Sequence, residues 1–176
     1  ADRVVAISNK TASELVELIG LPRERIDVIP NGIDLSAWTA TADTRDASER
    51  NALWKGARIG GNLEDPYVVY VGYCDHRKGV SAMFEALAEA RQSLPVRLIW
   101  AGKQLDEDYT RLQRQADALG VGDAVHFVGY VSDAALAALY RRALAHLFLS
   151  TLEGFGLSVA EAIACGCPVI LVRNSG

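Results

Sequence analysis

The sequence predicts an α/β fold, a parallel sheet with helices on both faces, and three observations carry the prediction. From Tyr67 onward, apolar runs of strand length alternate with segments whose apolar residues recur at helical spacing. The runs are continuous, as in strands buried on both faces. Five of them are separated by four helices, so right-handed crossovers place those helices on the two sides of one sheet.

The elements follow in order. "RVVAIS" reads as a strand and "TASELVELIG" as a helix, with Thr11 and Glu14 at capping-box spacing and Gly20 and Pro22 as stop signals. A short strand "RIDVIP" and a turn "PNGID" come next. Residues 35–66 are polar and irregular and read as a connecting segment, with one helix expected over 49–55. The regular part begins with strand "YVVYVG" and helix "SAMFEALAEARQ", then strand "VRLIWAG" and helix "DYTRLQRQADALG". Strand "AVHFVG", helix "DAALAALYRR", strand "AHLFLS", helix "GLSVAEAIAC" and strand "PVILVR" complete it, without repeats or low-complexity tracts.

Composition narrows the function. A chain of 176 residues, half of them hydrophobic, buries a real core and accommodates one domain plus part of another. A formal charge of -4 argues against coating nucleic acid, which needs a basic field, but leaves small anionic ligands open because those need only local cations. The three cysteines, Cys74, Cys165 and Cys167, read as thiols of a reducing compartment, and the Cys-x-Cys pair lacks the partners of a zinc shell. No apolar run reaches bilayer length and no signal core is present, so the chain reads as cytoplasmic. It opens at Ala1 directly on a strand and is expected to be a piece of a longer protein.

In open parallel sheets, ligands sit beyond the carboxyl ends of the strands. The loops there are "GYCDHRKG", "AGKQLDED", "GYVSD" and "STLEGFG". They bring Arg77, Lys78, Lys103, Glu153 and several glycines to one edge, a mixture suited to a ligand with phosphates and hydroxyls. "GFGLSV" has Val159 in the third glycine place of a dinucleotide fingerprint, and "GYCDHRKG" lacks the phosphate-loop spacing, which disfavours NAD and ATP chemistry.

Those residues carry a resemblance. "STLEGFGLSVAEAIACGCPVI", with Glu153 and Glu161 flanking seven residues, resembles the donor-site signature of family 4 retaining glycosyltransferases. "YVGYCDHRKGV" is similar to that family's glycine loop with a following Lys-Gly, and "VHFVGYVSDAALAALYRRA" to its base-contacting loop and helix. "ADRVVAISNKTASELVELIGLPRERIDVIPNGID" looks like the end of its acceptor domain and the linker leaving it. The resemblance implies a GT-B fold. Residues 1–34 would be the end of the N-terminal acceptor domain and the linker, and residues 67–176 a Rossmann-like nucleotide-sugar donor domain truncated at its C-terminus.

By the same resemblance, the chain is part of a metal-independent, retaining hexosyltransferase with a donor of the GDP-mannose or UDP-glucose type. It needs no cofactor, the nucleotide sugar being a substrate. A glycan or lipid-linked sugar would be the acceptor, held by the missing domain, which could also touch the inner face of a membrane in polysaccharide biosynthesis. Lys78 would stabilise negative charge growing on the departing diphosphate, with Arg77 as helper. Backbone N–H groups of Phe155, Gly156 and Leu157 would bind phosphate and sugar, Gly154 and Gly156 would admit a close approach, and Gly72 of the glycine loop would also belong to the donor site. Glu153 would accept from hexose hydroxyls and Glu161 from the ribose, while Gly129 and Tyr130 lie against the base.

Taken singly, Glu153 reads as a helix cap, Glu161 as a solvated helix residue and Arg77 as part of an exposed turn. Their order along one sheet edge, with Lys78, favours the functional reading for the glutamates and the lysine. His76, His126 and His146 share no spacing and read as structural. Tyr73 stands where the family often has arginine and supplies no positive charge, so either Arg77 compensates or donor binding weakens. Two other classes stay open: a non-catalytic nucleotide-sugar-binding module or partner subunit, and a GT-B nucleotide-sugar epimerase.

Overall fold

The computed structural model describes residues 2–39 and 65–173. Strands β1 (Val4–Ala6) and β2 (Ile26–Val28) pair in parallel as a small sheet, joined by helix α1 (Asn9–Ile19). The capping residue of α1 is Ser8, not Thr11. Its hydroxyl accepts from the Thr11 N–H at 3.1 Å, which makes Thr11 the third helical residue and starts the helix earlier than the Thr11–Glu14 spacing implies. Gly20 ends it in the left-handed conformation, as its place after the last apolar residue predicts.

Past β2 the segment expected to be irregular begins with a short helix, α2 (Leu35–Thr39). Asp34 starts it, accepting from the Ser36 N–H at 2.9 Å and the Ser36 hydroxyl at 2.6 Å. The helix exists because Trp38 buries itself on the larger sheet's helices. Its carbonyl accepts from Arg141 Nη2 at 2.8 Å and faces Cys165 Sγ at 3.3 Å, and its ring lies 6.3 Å from that of Tyr140. A tertiary contact of this kind is invisible to local periodicity. The helix expected over 49–55 lies outside the described residues.

The larger sheet holds five parallel strands in the order β5-β4-β3-β6-β7: β3 (Tyr67–Val71), β4 (Arg97–Ala101), β5 (Val125–Gly129), β6 (Ala145–Phe148) and β7 (Val169–Leu171). The crossover helices are α3 (Val80–Ala90), α4 (Asp106–Ala118), α5 (Asp133–Arg142) and α6 (Leu157–Ala164). Successive side chains point to opposite faces and therefore feed two cores. Tyr67, Val69, Ile99 and Ala101 pack with Trp38 and the residues of α5 and α6, whereas Tyr70, Leu98 and Trp100 pack with α3 and α4. Near the β6–β7 end of the α3 face an apolar cavity of about 240 Å³ opens among Met83, Leu87, Leu98, Leu144, Leu147 and Ile170.

The strand order has a consequence for the site. The chain steps outward from β3 through β4 to β5, returns past β3 to β6, and continues to β7. The direction of travel thus reverses between β3 and β6, and loops leaving neighbouring strands diverge there to open a crevice. No helix among the described residues is long and apolar enough to cross a membrane.

Candidate functional site

The loop after β3 and the loop after β6 meet at this reversal. Asp75 caps a single 3-10 turn, His76–Lys78, by accepting from the Arg77 N–H at 2.9 Å. The turn closes on Gly79, whose φ of +66° favours glycine and where a Cβ would stand 2.5 Å from the Leu149 carbonyl. That close approach lets the two loops join. The Arg77 carbonyl accepts from the Thr151 N–H at 2.8 Å, and the Lys78 ammonium reaches across to pair with the Glu153 carboxylate.

The pair lies in a partly buried position, with side chains 23% and 19% exposed. Burial pushes the Glu153 carboxyl up, but the hydrogen bond and charge of Lys78, together with Ser150 and Arg77, outweigh it and hold the group below its ordinary value. Ser150 is 1% exposed and its hydroxyl has no hydrogen-bond partner among the described residues. Arg77 sits beside this pair without joining it. Its guanidinium lies on Asp75 at 3.0 and 3.1 Å, which pushes the Asp75 carboxyl down.

Glu153 lies in the loop that precedes α6, which begins at Leu157 with Gly156 as its cap residue at φ +86°. The backbone N–H groups of Phe155, Gly156 and Leu157 make no main-chain hydrogen bond among the described residues. A side chain on Gly154 would meet Ile7 Cδ1 at 3.0 Å, so the small residue there admits the β1–α1 segment.

Glu161 occupies a different setting, a turn into α6. Burial, then the charge of Asp133 at the start of α5, raises its carboxyl above the usual range. No ion pair forms at Glu161 among the described residues. Asp133 follows the loop that carries Gly129 and Tyr130, so Glu161 belongs to that side of the crevice. Gly129 has φ +69° and its carbonyl accepts from the Gly102 N–H at 2.7 Å, while the Tyr130 ring is 82% exposed.

The chain matches the family described as glycosyl transferases group 1 over residues 57–176. It belongs to this family. Residues 1–37 match a second description, glycosyltransferase family 4. A D-inositol 3-phosphate glycosyltransferase of Xylanimonas cellulosilytica is 31% identical over 176 residues, covering 100% of this chain and 42% of that protein. A mannosylfructose-phosphate synthase of Agrobacterium fabrum is 30% identical over 182 residues, covering 99% of this chain and 38% of that protein. Among solved structures, Anabaena Alr3699/HepE in complex with UDP and glucose superposes with a TM-score of 0.80 at 25% identity, covering 98% of this chain and 45% of that one. The chain thus spans less than half the length of these group 1 relatives, and the GT-B architecture expected from the sequence is the one they share.

Several contacts around this candidate site are not foreseen by the sequence analysis. Gln104, 3% exposed, braces the loop after β3: its Nε2 donates to the Gly72 carbonyl at 2.9 Å and its Oε1 accepts from the Cys74 N–H at 2.6 Å. Tyr73 is tied by its hydroxyl to Asp108 at 2.5 Å, which first among its causes pushes the phenol up to about 12. His146, which reads from the sequence as structural, is buried with its Nε2 3.2 Å from the hydroxyl of Ser158, the second residue of α6, a contact that nothing in the sequence announces.

Proposed function

We propose that this chain is the donor-binding part of a retaining, metal-independent hexosyltransferase that uses a nucleotide-diphosphate sugar. The observation that carries the reading is the Lys78–Glu153 pair, set at the sheet reversal in the loop that leads to α6, whose opening N–H groups make no main-chain hydrogen bond among the described residues. In such a transfer the bond between the anomeric carbon and the diphosphate oxygen breaks, and negative charge grows on that oxygen. A fixed cation and aligned N–H groups stabilise the charge where it develops.

Glu153 neutralises Lys78 in the pair they form. When hexose hydroxyls donate to Glu153, the ammonium can turn toward phosphate while the carboxylate stays satisfied. Glu161, which forms no ion pair among the described residues, retains acceptor capacity for a ribose diol, and Gly129 and Tyr130 face the base. Support for a UDP-type donor comes from the solved relative that holds UDP and glucose. The acceptor is a glycan, a lipid-linked sugar or, following the relatives named for D-inositol 3-phosphate and mannosylfructose-phosphate, a small phosphorylated polyol. The work is assigned to the cytoplasm.

The test is a thermal-shift panel with UDP-, GDP- and ADP-hexoses on the full-length protein, with a Glu161→Ala control. A ligand that binds only the folded state raises Tm, by roughly 2.7 kcal/mol of stability at a hundred times Kd. A shift confined to one base and lost in the control supports the donor reading; no shift for any of them overturns it. A non-catalytic binding module is the second reading, favoured by Tyr73 being held on Asp108 where a cation would serve the diphosphate. Sugar transfer to a defined acceptor by the full-length protein excludes that module. Product formation without acceptor would instead indicate an epimerase.

A further inference from the structure

The first turn of α6 has no side-chain cap, as those of the longer helices α3 and α4 have none. Ser8 and Ser132 cap α1 and α5 through side-chain hydrogen bonds, whereas the cap position of α6 is Gly156, which makes none. A helix of eight residues with a glycine cap loses its first turn easily, because nothing offsets the unpaired N–H groups and the freedom of glycine. Yet this turn carries the groups assigned to phosphate and sugar.

A buried relay takes the place of the cap. His146 of β6 is 0% exposed, with Nδ1 3.1 Å from the Val69 carbonyl of β3 and Nε2 3.2 Å from the hydroxyl of Ser158, the second residue of α6. A carbonyl only accepts, so Nδ1 carries the proton; the neutral ring then offers Nε2 as an acceptor and the Ser158 hydroxyl donates to it. The imidazole is fixed laterally by Tyr140, edge-on at 5.3 Å, and lies 6.1 Å from Phe148. The Phe148 ring in turn stands 3.3 Å from where a Cβ on Gly156 would be. Two strands and α5 thus converge on the start of α6 through one side chain.

We propose that His146 and Ser158 are positioning residues for the nucleotide sugar: their hydrogen bond holds the first turn of α6, and with it the Phe155–Leu157 N–H groups, in the geometry that binds the donor. The inference rests on the donor reading above. A histidine that merely filled the core would affect melting temperature and leave ligand affinity alone.

The decisive variant is Ser158→Ala, which keeps a good helix former and removes only the hydroxyl. Its companion Ser158→Thr keeps the hydroxyl. Binding of UDP-glucose, GDP-mannose and ADP-glucose to the full-length protein is measured by calorimetry, with Tm and amide hydrogen exchange over residues 155–158 followed alongside. For whichever ligand the wild type binds, Ser158→Ala is expected to bind roughly five- to tenfold more weakly. Exchange over 155–158 quickens, donor KM rises, kcat falls with it because the same N–H groups face the developing charge, Tm drops only slightly for the lost bond to His146, and Ser158→Thr behaves as wild type. Wild-type affinity in Ser158→Ala, or a loss in Ser158→Thr equal to that in Ser158→Ala, overturns the proposal. A wild type that binds none of the three nucleotides overturns the donor reading itself and this inference with it, an outcome recognised before any variant is made.

Discussion

Glu153 and Glu161 stand eight positions apart on one loop-and-helix unit, yet their surroundings drive them in opposite directions. Glu153 meets a cation delivered by a loop 75 residues away and is held ionised below its usual range. Glu161 meets burial and a second carboxylate and is raised above it. The difference shows that the spacing of a motif does not assign its chemistry; the partners brought by the sheet reversal do. A carboxylate already paired to lysine can exchange one donor for another as ligand enters, so it suits a position beside changing charge. A desolvated carboxylate without a cation gains most from hydroxyl donors and suits a fixed, uncharged diol.

The strongest way to break this comparison is to remove the cation. Lys78→Ala is expected to lower turnover of the full-length protein by roughly 10²- to 10³-fold, the scale seen when one stabiliser of developing charge is lost. Steady-state kinetics on the folded variant checks it, and near-wild-type turnover removes Lys78 from the mechanism. The next largest effect separates the two acids. Glu161→Gln is expected to weaken binding of the free nucleoside diphosphate about tenfold, since the acceptor proposed for the ribose loses its charge. Glu153→Gln should leave free-nucleotide binding intact and weaken only the nucleotide sugar, and calorimetry with both ligands on both variants reads the contrast. Arg77→Ala should cost only about two- to threefold in kcat/KM, because its guanidinium is half exposed and engaged with Asp75. A loss as large as that of Lys78→Ala would make Arg77 the replacement for the cation missing at Tyr73.

Much of this arrangement was legible in the sequence, and the limits have physical causes. The continuous runs "YVVYVG" and "RLIWAG" announced buried parallel strands because burial on both faces leaves no polar alternation to confuse them. Their order across the sheet was not legible, since periodicity describes a strand and not its neighbour. The Thr11–Glu14 spacing places the helix start three residues late, because the cap is settled by the hydrogen bond that Ser8 accepts and not by residue type along the chain. Trp38 lay in a segment read as irregular because its helix depends on distant α5 and α6. At the site, glycines and charges lay on recognisable loops, so Lys78, Glu153 and Glu161 could be named. The relations among them could not: the Lys78–Glu153 pairing, the Gln104 brace and the His146–Ser158 bond all join residues distant in sequence.

The smallest predicted effect tests the comparison without any ligand. Glu161 has its folded value raised, so folding favours its protonated form; the stability this contributes is present below the unfolded value of 4.5 and is lost as pH rises through the folded value. Replacing it by Gln removes a cost that exists only when the acid is ionised. Glu161→Gln should therefore match wild type in acid and gain in Tm toward neutrality. Glu153 has its folded value lowered, so its contribution is present above 4.5 and is lost as pH falls through the folded value. Glu153→Gln should lose Tm at neutrality, leaving Lys78 without its partner, and converge on wild type in acid. Tm measured for both variants from about pH 3 to about pH 7 gives two difference curves of opposite sign that meet at the acid end. Curves of the same sign would mean that one carboxylate has a charge environment unlike the one the structure shows, and a negative curve for Glu161→Gln would point to a cation beside it that the described residues do not supply.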